Sequence, residues 1–334
     1  VYARRGNILD TNGQTLVMSA TAYIVSVEPG KVQDVQAFAR AISPILGLSE
    51  EKVAEKASQR GKSSVTLKRQ VSRETADQLR QLKQSKDAET AAAASALLFD
   101  EDVRRVYLRG AFLTQTLGLV NVDGVGQSGL EQQYETLLRG EAGRSMRSVD
   151  GKARPIYDSG NLYIEPQDGS TIRLTIDATI QEIVEKAMRE CYEVNKAQAV
   201  HAIAMDVYTG AVLAMCSKPD YDPNDPPREQ LDALQSLMRI RLISDSYEPG
   251  STFKMNTAVA ALESGIITPS SIIQDKGVYT FYEYPQPWCW VWPLGYTHGR
   301  VNVSDAIAVS CNYFFYEVGR LTGIQTIDDY ATQF

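Results

Sequence analysis

Residues 246–265 read SYEPGSTFKMNTAVAALESG. Pro249-Gly250 is a turn pair, a helical pattern follows it and Gly265 supplies a stop, so the stretch predicts a helix that opens at Ser251. Lys254 lies three residues further on, close to one turn, which puts its amine on the face that carries the Ser251 hydroxyl. Serine is a weak nucleophile until a neighbouring base takes its proton, and a desolvated lysine can do so because burial disfavours the ammonium form. The start of a helix adds a field that favours a developing alkoxide. Ser251 and Lys254 are therefore the candidate nucleophile and base. Ser-x-x-Lys is a short pattern, and Ser49–Lys52 fits it too; there the charged surroundings read as a helix N-cap.

Further along, Ser310-Cys311-Asn312 sits within VSDAIAVSCNYFFYEVGRL (303–321), which reads as one helical run. A hydroxyl and an amide brought near Ser251 and Lys254 would relay a proton to a leaving amine and hold a substrate amide; otherwise the triplet only hydrogen-bonds locally. Ser159-Gly160-Asn161 matches the same pattern. As a thiol nucleophile Cys311 has only His298 nearby to activate it, so it is placed with Trp288 and Trp290 among the residues expected to contact substrate. In PQPWCWVWP (285–293) the alternation of Trp288, Trp290 and Trp292 fits either an ordinary strand with one aromatic face or the wall of a substrate groove. His201 and His298 are expected as packed or loop histidines, and Asp206 as structural.

Outward from these stretches, STIRLTID reads as a strand and ATIQEIVEKAMRECYEVN as a helix with an apolar face of Ile180, Ile183, Val184, Ala187 and Met188. AVHAIAMDVYTGAVLAMCS gives two strands around Tyr208-Thr209-Gly210. Nearer the start, Asn12-Gly13 predicts a hairpin turn and Ala22–Val27 a strand. Helices are expected within 33–60 and from Ser72 to about Lys86, while the alanine run at 87–96 reads as a linker. In GLEQQYETLLRGEAG, Leu130, Tyr134, Leu137 and Leu138 are helically spaced. These patterns predict an α+β or α/β protein.

The 334 residues suggest two domains. Residues 1–170 hold 22 Lys and Arg against 21 Asp and Glu, whereas 171–334 hold 12 against 20, an acidic second half that argues against a nucleic-acid partner. Cys191, Cys216, Cys289 and Cys311 lack CxxC spacing and only two histidines are present, so neither a metal nor another cofactor is expected. No apolar window approaches the ~20 residues of a membrane span. The chain opens on Val1 rather than Met, which allows for an upstream segment.

Taken in order, RRGNILDTNG, GLEQQYETLLRGEAG, LTIDATIQ, DVYTGAVLAMCSKPDYDPN, YEPGSTFK and GRVNVSDAIAVSCN resemble the landmarks of the class B penicillin-binding proteins, with Thr11 where that family more usually has Arg. The resemblance implies an elongated N-terminal pedestal of the penicillin-binding protein dimerisation type at 1–170. A serine β-lactamase-like transpeptidase domain is implied at 171–334. It implies that Ser251 attacks the D-Ala-D-Ala carbonyl of a peptidoglycan stem peptide with Lys254 as proton acceptor, that Ser310 and Asn312 complete the relay and position the substrate, and that β-lactam antibiotics acylate the same serine. It also implies a membrane glycosyltransferase partner. The place implied is the extracytoplasmic face of the bacterial membrane, with an N-terminal anchoring segment absent from this chain.

One departure stands against it: no Lys-Thr-Gly or Lys-Ser-Gly occurs. That motif lies on a strand that gives the oxyanion hole a backbone N–H, and loss of one such donor costs on the order of 100-fold to 1000-fold in rate. The chain is thus expected to lack C-terminal strands of the domain and to be inactive alone. The rival expectations are a penicillin-binding sensor or scaffold without cross-linking activity, and a serine β-lactamase, in which residues 1–170 have no place.

Overall fold

The computed structural model describes residues 3–85, 87–146, 162–227 and 229–334, and these form two compact units, residues 1–245 and 246–334. Ser159-Gly160-Asn161 and Lys86 lie outside the described residues. No helix among the described residues is long and apolar enough to cross a membrane.

The first unit begins with the expected hairpin. Strand β1 (Ile8–Leu9) pairs antiparallel with β2 (Thr15–Val27). In the turn, Asp10 Oδ1 accepts from the backbone N–H groups of Asn12 and Gln14, and Gly13 takes the left-handed conformation that a side chain would strain. Helices α1 (Val35–Leu46) and α2 (Glu50–Ala57) follow, then β3 (Val65–Val71), α3 (Arg73–Gln81), α4 (Ala88–Ser95) and β4 (Leu97–Tyr107). Strand β2 lies between β3 and β4, both antiparallel to it. The helices bury one face of the sheet in a core that includes Val25, Phe38, Ile42, Leu46, Leu67, Leu79 and Leu97. The alanine run is helix α4 rather than a linker: Asp87 caps it at Thr90 N, and Ala93, Ala94 and Ala96 are buried, small enough for close packing. Ser49 Oγ accepts from Lys52 N at 3.4 Å, so that Ser-x-x-Lys is an N-cap.

Next come α5 (Thr114–Leu117), α6 (Gly129–Gln133) and α7 (Glu135–Leu138), an antiparallel pair of β5 (Arg144–Met146) and β6 (Leu162–Ile164), and β7 (Ile172–Arg173), which pairs parallel with β1. The helical spacing over GLEQQYETLL is broken at Tyr134, and of its four helically spaced residues only Leu138 is buried. A charge is buried in their place. Glu131 is fully enclosed, accepting from Arg105 Nε at 2.7 Å and from Arg5 Nε, while Arg5 Nη1 reaches Glu135 Oε2 at 2.6 Å.

Helix α8 (Ala178–Asn195) is capped by Asp177 and packs on β9 (Val212–Lys218), which forms a hairpin with β8 (Val200–Met205). Its packed face is rotated from the expected one: Ile180, Val184 and Met188 are half-buried as that face requires, but Ile183 is 65% exposed and Ala187 also exposed, whereas Gln181 and Glu185 are buried. Polar pairing explains the rotation. Gln181 donates to Met215 O at 3.0 Å and accepts from Met215 N at 2.8 Å, and Glu185 accepts from Leu113 N at 3.0 Å and Lys218 Nζ at 2.8 Å. Asp206 has the structural role expected, accepting from Tyr208 N and Thr209 N in the β8–β9 turn. Helices α9 (Leu231–Met238) and α10 (Arg241–Ser244) close the unit.

The second unit contains a 3-10 turn (Gly250–Phe253), α11 (Lys254–Glu263), the short antiparallel pair β10 (Ile273–Gln274) and β11 (Arg300–Val301), and helices α12 (Val303–Ala308), α13 (Asn312–Thr322) and α14 (Ile324–Ala331). Ala258 and Ala261 of α11 meet Phe314 and Val318 of α13 in its core. PQPWCWVWP is not a regular strand: one bridge, Val278 to Trp288, precedes a 3-10 turn at Trp292–Leu294. Cys289 and Val291 point inward, and Trp292 lies so close to Gly277 that a Cβ there would sit 2.0 Å from its ring.

Replacing Glu131 by Gln keeps its shape and removes its charge. Arg105 then loses its carboxylate and Arg5 keeps only Glu135, and the variant is expected to lose about 3–5 kcal/mol of stability, read as a lower denaturant midpoint at unchanged slope.

Candidate active site

The helical run over 303–321 is interrupted, and the interruption builds the site. Helix α12 ends at Ala308, Ser310 N donates to Ile307 O at 3.1 Å and Cys311 N to Ala306 O at 2.8 Å. Ser310 occupies the left-handed region, φ +52°, at a helix end where glycine ordinarily stands. Helix α13 then starts at Asn312.

The break aims both polar side chains of the triplet at Lys254. Its Nζ donates to Asn312 Oδ1 at 2.6 Å, to Ser310 Oγ and Ser310 O at 2.9 Å each, and lies 3.3 Å from Ser251 Oγ. Ser310 Oγ is 3.2 Å from Ser251 Oγ, closing a triangle of two hydroxyls and one amine. Ser251 itself is exposed at the head of the 3-10 turn that runs into α11. Burial holds the Lys254 pKa below the ordinary lysine range, against an opposing contribution from the Cys289 and Cys311 thiols. A serine with two proton-accepting routes, one through the amine and one through a second hydroxyl, is equipped for attack on a carbonyl and for return of a proton to a leaving group.

Trp290 is half exposed and donates from Nε1 to Val309 O at 3.2 Å, beside the loop that carries Ser310. Trp288 is also exposed, and its carbonyl lies 3.4 Å from Tyr316 Oη on α13. Cys311 is buried, its thiol among Cys289 and Asp275 in the core rather than on an open surface. The backbone turn that aims Ser310 and Asn312 outward turns Cys311 inward. Sequence reasoning passed over Asp275 and left His298 as a packed or loop residue; it is packed, its Nδ1 3.1 Å from Asp275 Oδ2 and 3.3 Å from Cys289 Sγ. Their irregular spacing carries no motif to find them by.

Residues 1–174 match the model of the penicillin-binding protein dimerisation domain and residues 200–334 that of the penicillin binding protein transpeptidase domain. The chain belongs to the class B penicillin-binding proteins. Among its relatives are the stage V sporulation protein D of Bacillus subtilis, 31% identical over 99% of this chain and 49% of that protein, and the peptidoglycan D,D-transpeptidase FtsI of Escherichia coli, 28% identical over 82% and 45%. The chain spans about half the length of these curated relatives. A solved complex between the penicillin-binding protein PBP2 and MreC from Helicobacter pylori shares the fold, with TM-score 0.74 at 21% identity over 99% of this chain and 64% of that one.

Ser310→Gly and Ser310→Ala both remove the hydroxyl, but only glycine fits the left-handed backbone without strain. The glycine variant is expected to be the more stable by about 1–2 kcal/mol, and equal unfolding midpoints would remove the strain assignment.

Proposed function

We propose that this chain carries the acylation site of a peptidoglycan D,D-transpeptidase. Ser251 attacks the D-Ala-D-Ala carbonyl of a stem peptide and forms an acyl-enzyme, which the amine of a second stem peptide resolves into a cross-link. The observation that carries this reading is the convergence on Lys254 Nζ of Ser251 Oγ, Ser310 Oγ and Asn312 Oδ1. Lys254 takes the Ser251 proton. Ser310 passes it to the departing D-Ala amine, and Asn312 holds the lysine and the substrate amide. β-Lactams acylate the same hydroxyl, and Trp288 and Trp290 contact the bound peptide.

In this reading residues 1–170 form a pedestal and residues 171–334 the part of the transpeptidase domain that holds the nucleophile. The protein works on the extracytoplasmic face of the bacterial membrane, anchored there, with a glycosyltransferase supplying the strands to be joined. No Lys-Thr-Gly or Lys-Ser-Gly motif is present, so the backbone donor expected of that strand is not supplied by these residues; at on the order of 100-fold to 1000-fold per oxyanion donor, the chain alone acylates slowly at best.

Incubating the chain, alone and extended C-terminally to the length of its relatives, with a penicillin and reading intact mass tests the assignment. An adduct on the extended protein that Ser251→Ala abolishes is the expected result. No adduct on either form favours a scaffold without catalysis, and rapid turnover of the drug favours a β-lactamase.

The base has its own signature. Acylation requires neutral Lys254, so its rate is expected to rise with pH through a pKa below that of a free lysine, about 10.4. Lys254→Arg, which stays protonated, is expected to flatten the profile and slow acylation by roughly 10²-fold to 10⁴-fold.

A further inference from the structure

Behind the Ser310 loop four side chains that no part of the proposed acylation uses meet inside the second unit. They are Asp275, which follows β10, Cys289 in the tryptophan segment, His298 before β11, and Cys311 at the start of α13. Asp275, Cys289 and Cys311 are buried and His298 nearly so, and one ligand atom from each lies within 4.8 Å of all the others. We propose that these four residues form a zinc site that pins the Ser310–Asn312 loop in its active geometry.

Four of the six separations approach those of a tetrahedral metal site, and the other two are within 4.8 Å. Zinc bonds of about 2.3 Å to sulfur, about 2.0–2.1 Å to nitrogen and about 2.0–2.2 Å to oxygen place two sulfurs about 3.8 Å apart, sulfur and a lighter ligand about 3.6 Å, and nitrogen and oxygen about 3.4 Å. The corresponding distances are 3.9 Å for Cys289 Sγ to Cys311 Sγ, 3.3 Å for Cys289 Sγ to His298 Nδ1, 3.7 Å for Cys311 Sγ to Asp275 Oδ2 and 3.1 Å for His298 Nδ1 to Asp275 Oδ2. Hydrogen bonding among the four is a poor reason for such convergence, because thiols are weak donors and weak acceptors. Two sulfurs, one imidazole and one carboxylate in a closed tetrahedral set select zinc over the hard cations.

A supporting shell is present as well. Asp275 Oδ1 accepts from Gly277 N at 2.8 Å, and Oδ2 accepts from His298 N at 3.0 Å, which fixes the carboxylate and the histidine backbone to one another. The segment that the four residues tie together, 275–298, has a single bridge as its regular strand pairing, so metal ligation supplies an order that a ladder does not. Binding replaces two thiol protons and leaves two thiolates, one carboxylate and one neutral imidazole around the dication, so two protons are released per zinc. Cys311 lies between Ser310 and Asn312, so a bond from its sulfur to a fixed metal holds both neighbours against Lys254. The metal claim stands on these distances alone; only the positioning role rests on the acyl-transfer reading.

Elemental analysis of the purified protein should find one zinc per chain. Stripped wild-type protein titrated with cobalt(II) should take up one equivalent, with the ligand-field bands of a tetrahedral site, thiolate-to-cobalt charge transfer and release of two protons. Cys289→Ser should lose that uptake, Cys191→Ser should keep it, and His298→Cys should keep it with stronger charge transfer. Wild-type protein that takes up no cobalt, or whose Cys289 and Cys311 are joined as a disulfide that persists under metal loading, overturns the site; this arm needs no variant to fold. Removing zinc should slow penicillin acylation at saturating drug by roughly 10-fold to 100-fold with little change in drug affinity. Metal loss without that slowing overturns the positioning role. A chain that holds zinc, as Ser251→Ala should, yet is never acylated in its wild-type form leaves the metal site standing and removes the catalytic reading instead.

Discussion

Everything at the candidate active centre depends on one amine. Lys254 Nζ is shared among Ser310 O, Ser310 Oγ and Asn312 Oδ1, with Ser251 Oγ at 3.3 Å, so α11 and the α12–α13 junction are registered to each other through a single nitrogen. The packing behind it makes that sharing possible. Small residues on α11 admit Phe314 and Val318 of α13, and the Phe315 ring lies 5.8 Å from the amine, covering it without satisfying it. A lysine so covered favours its neutral form more than an exposed one does, and its oxygen partners orient the amine.

The kink that delivers those oxygens comes at a cost in backbone strain. A non-glycine residue in the left-handed region is unfavourable by on the order of 1–3 kcal/mol, a load that persists where surrounding structure over-determines it. Here the helix-end hydrogen bonds of Ser310 N and Cys311 N and the grip of Lys254 do so. Serine at a glycine position signals that the hydroxyl is worth more to the protein than the relief of the strain.

Much of the site was legible from spacing alone. Ser251 and Lys254 are neighbours because three residues make nearly a turn, and the capped Ser49 was separable from them by its charged setting. The hairpin at Asn12-Gly13 and the turn at Asp206 declared themselves through turn chemistry. What was not legible has a common cause: polar or sulfur-bearing groups used as core. Glu131, Gln181 and Glu185 are buried because arginines, a lysine and backbone groups meet them, and a pattern built on apolar spacing therefore misplaced one edge of the packed face of α8 and drew too long a helix over GLEQQYETLL. The break at Ser310 was hidden because a left-handed residue is recognised in sequence when it is glycine. Asp275, Cys289, His298 and Cys311 converge from four separate segments, a relation that exists only in three dimensions.

The buried arginine network has a consequence for the order in which the chain can be made. Arg5 has to wait for Glu131 and Glu135, and β1 for its parallel partner at Ile172, so β1 is completed among the last parts of its sheet. At a synthesis rate of roughly 5–20 residues per second, the opening segment stands exposed for about ten to thirty seconds before its partners exist. The arginine of that waiting segment later becomes part of the buried pairs that tie it to α6 and α7.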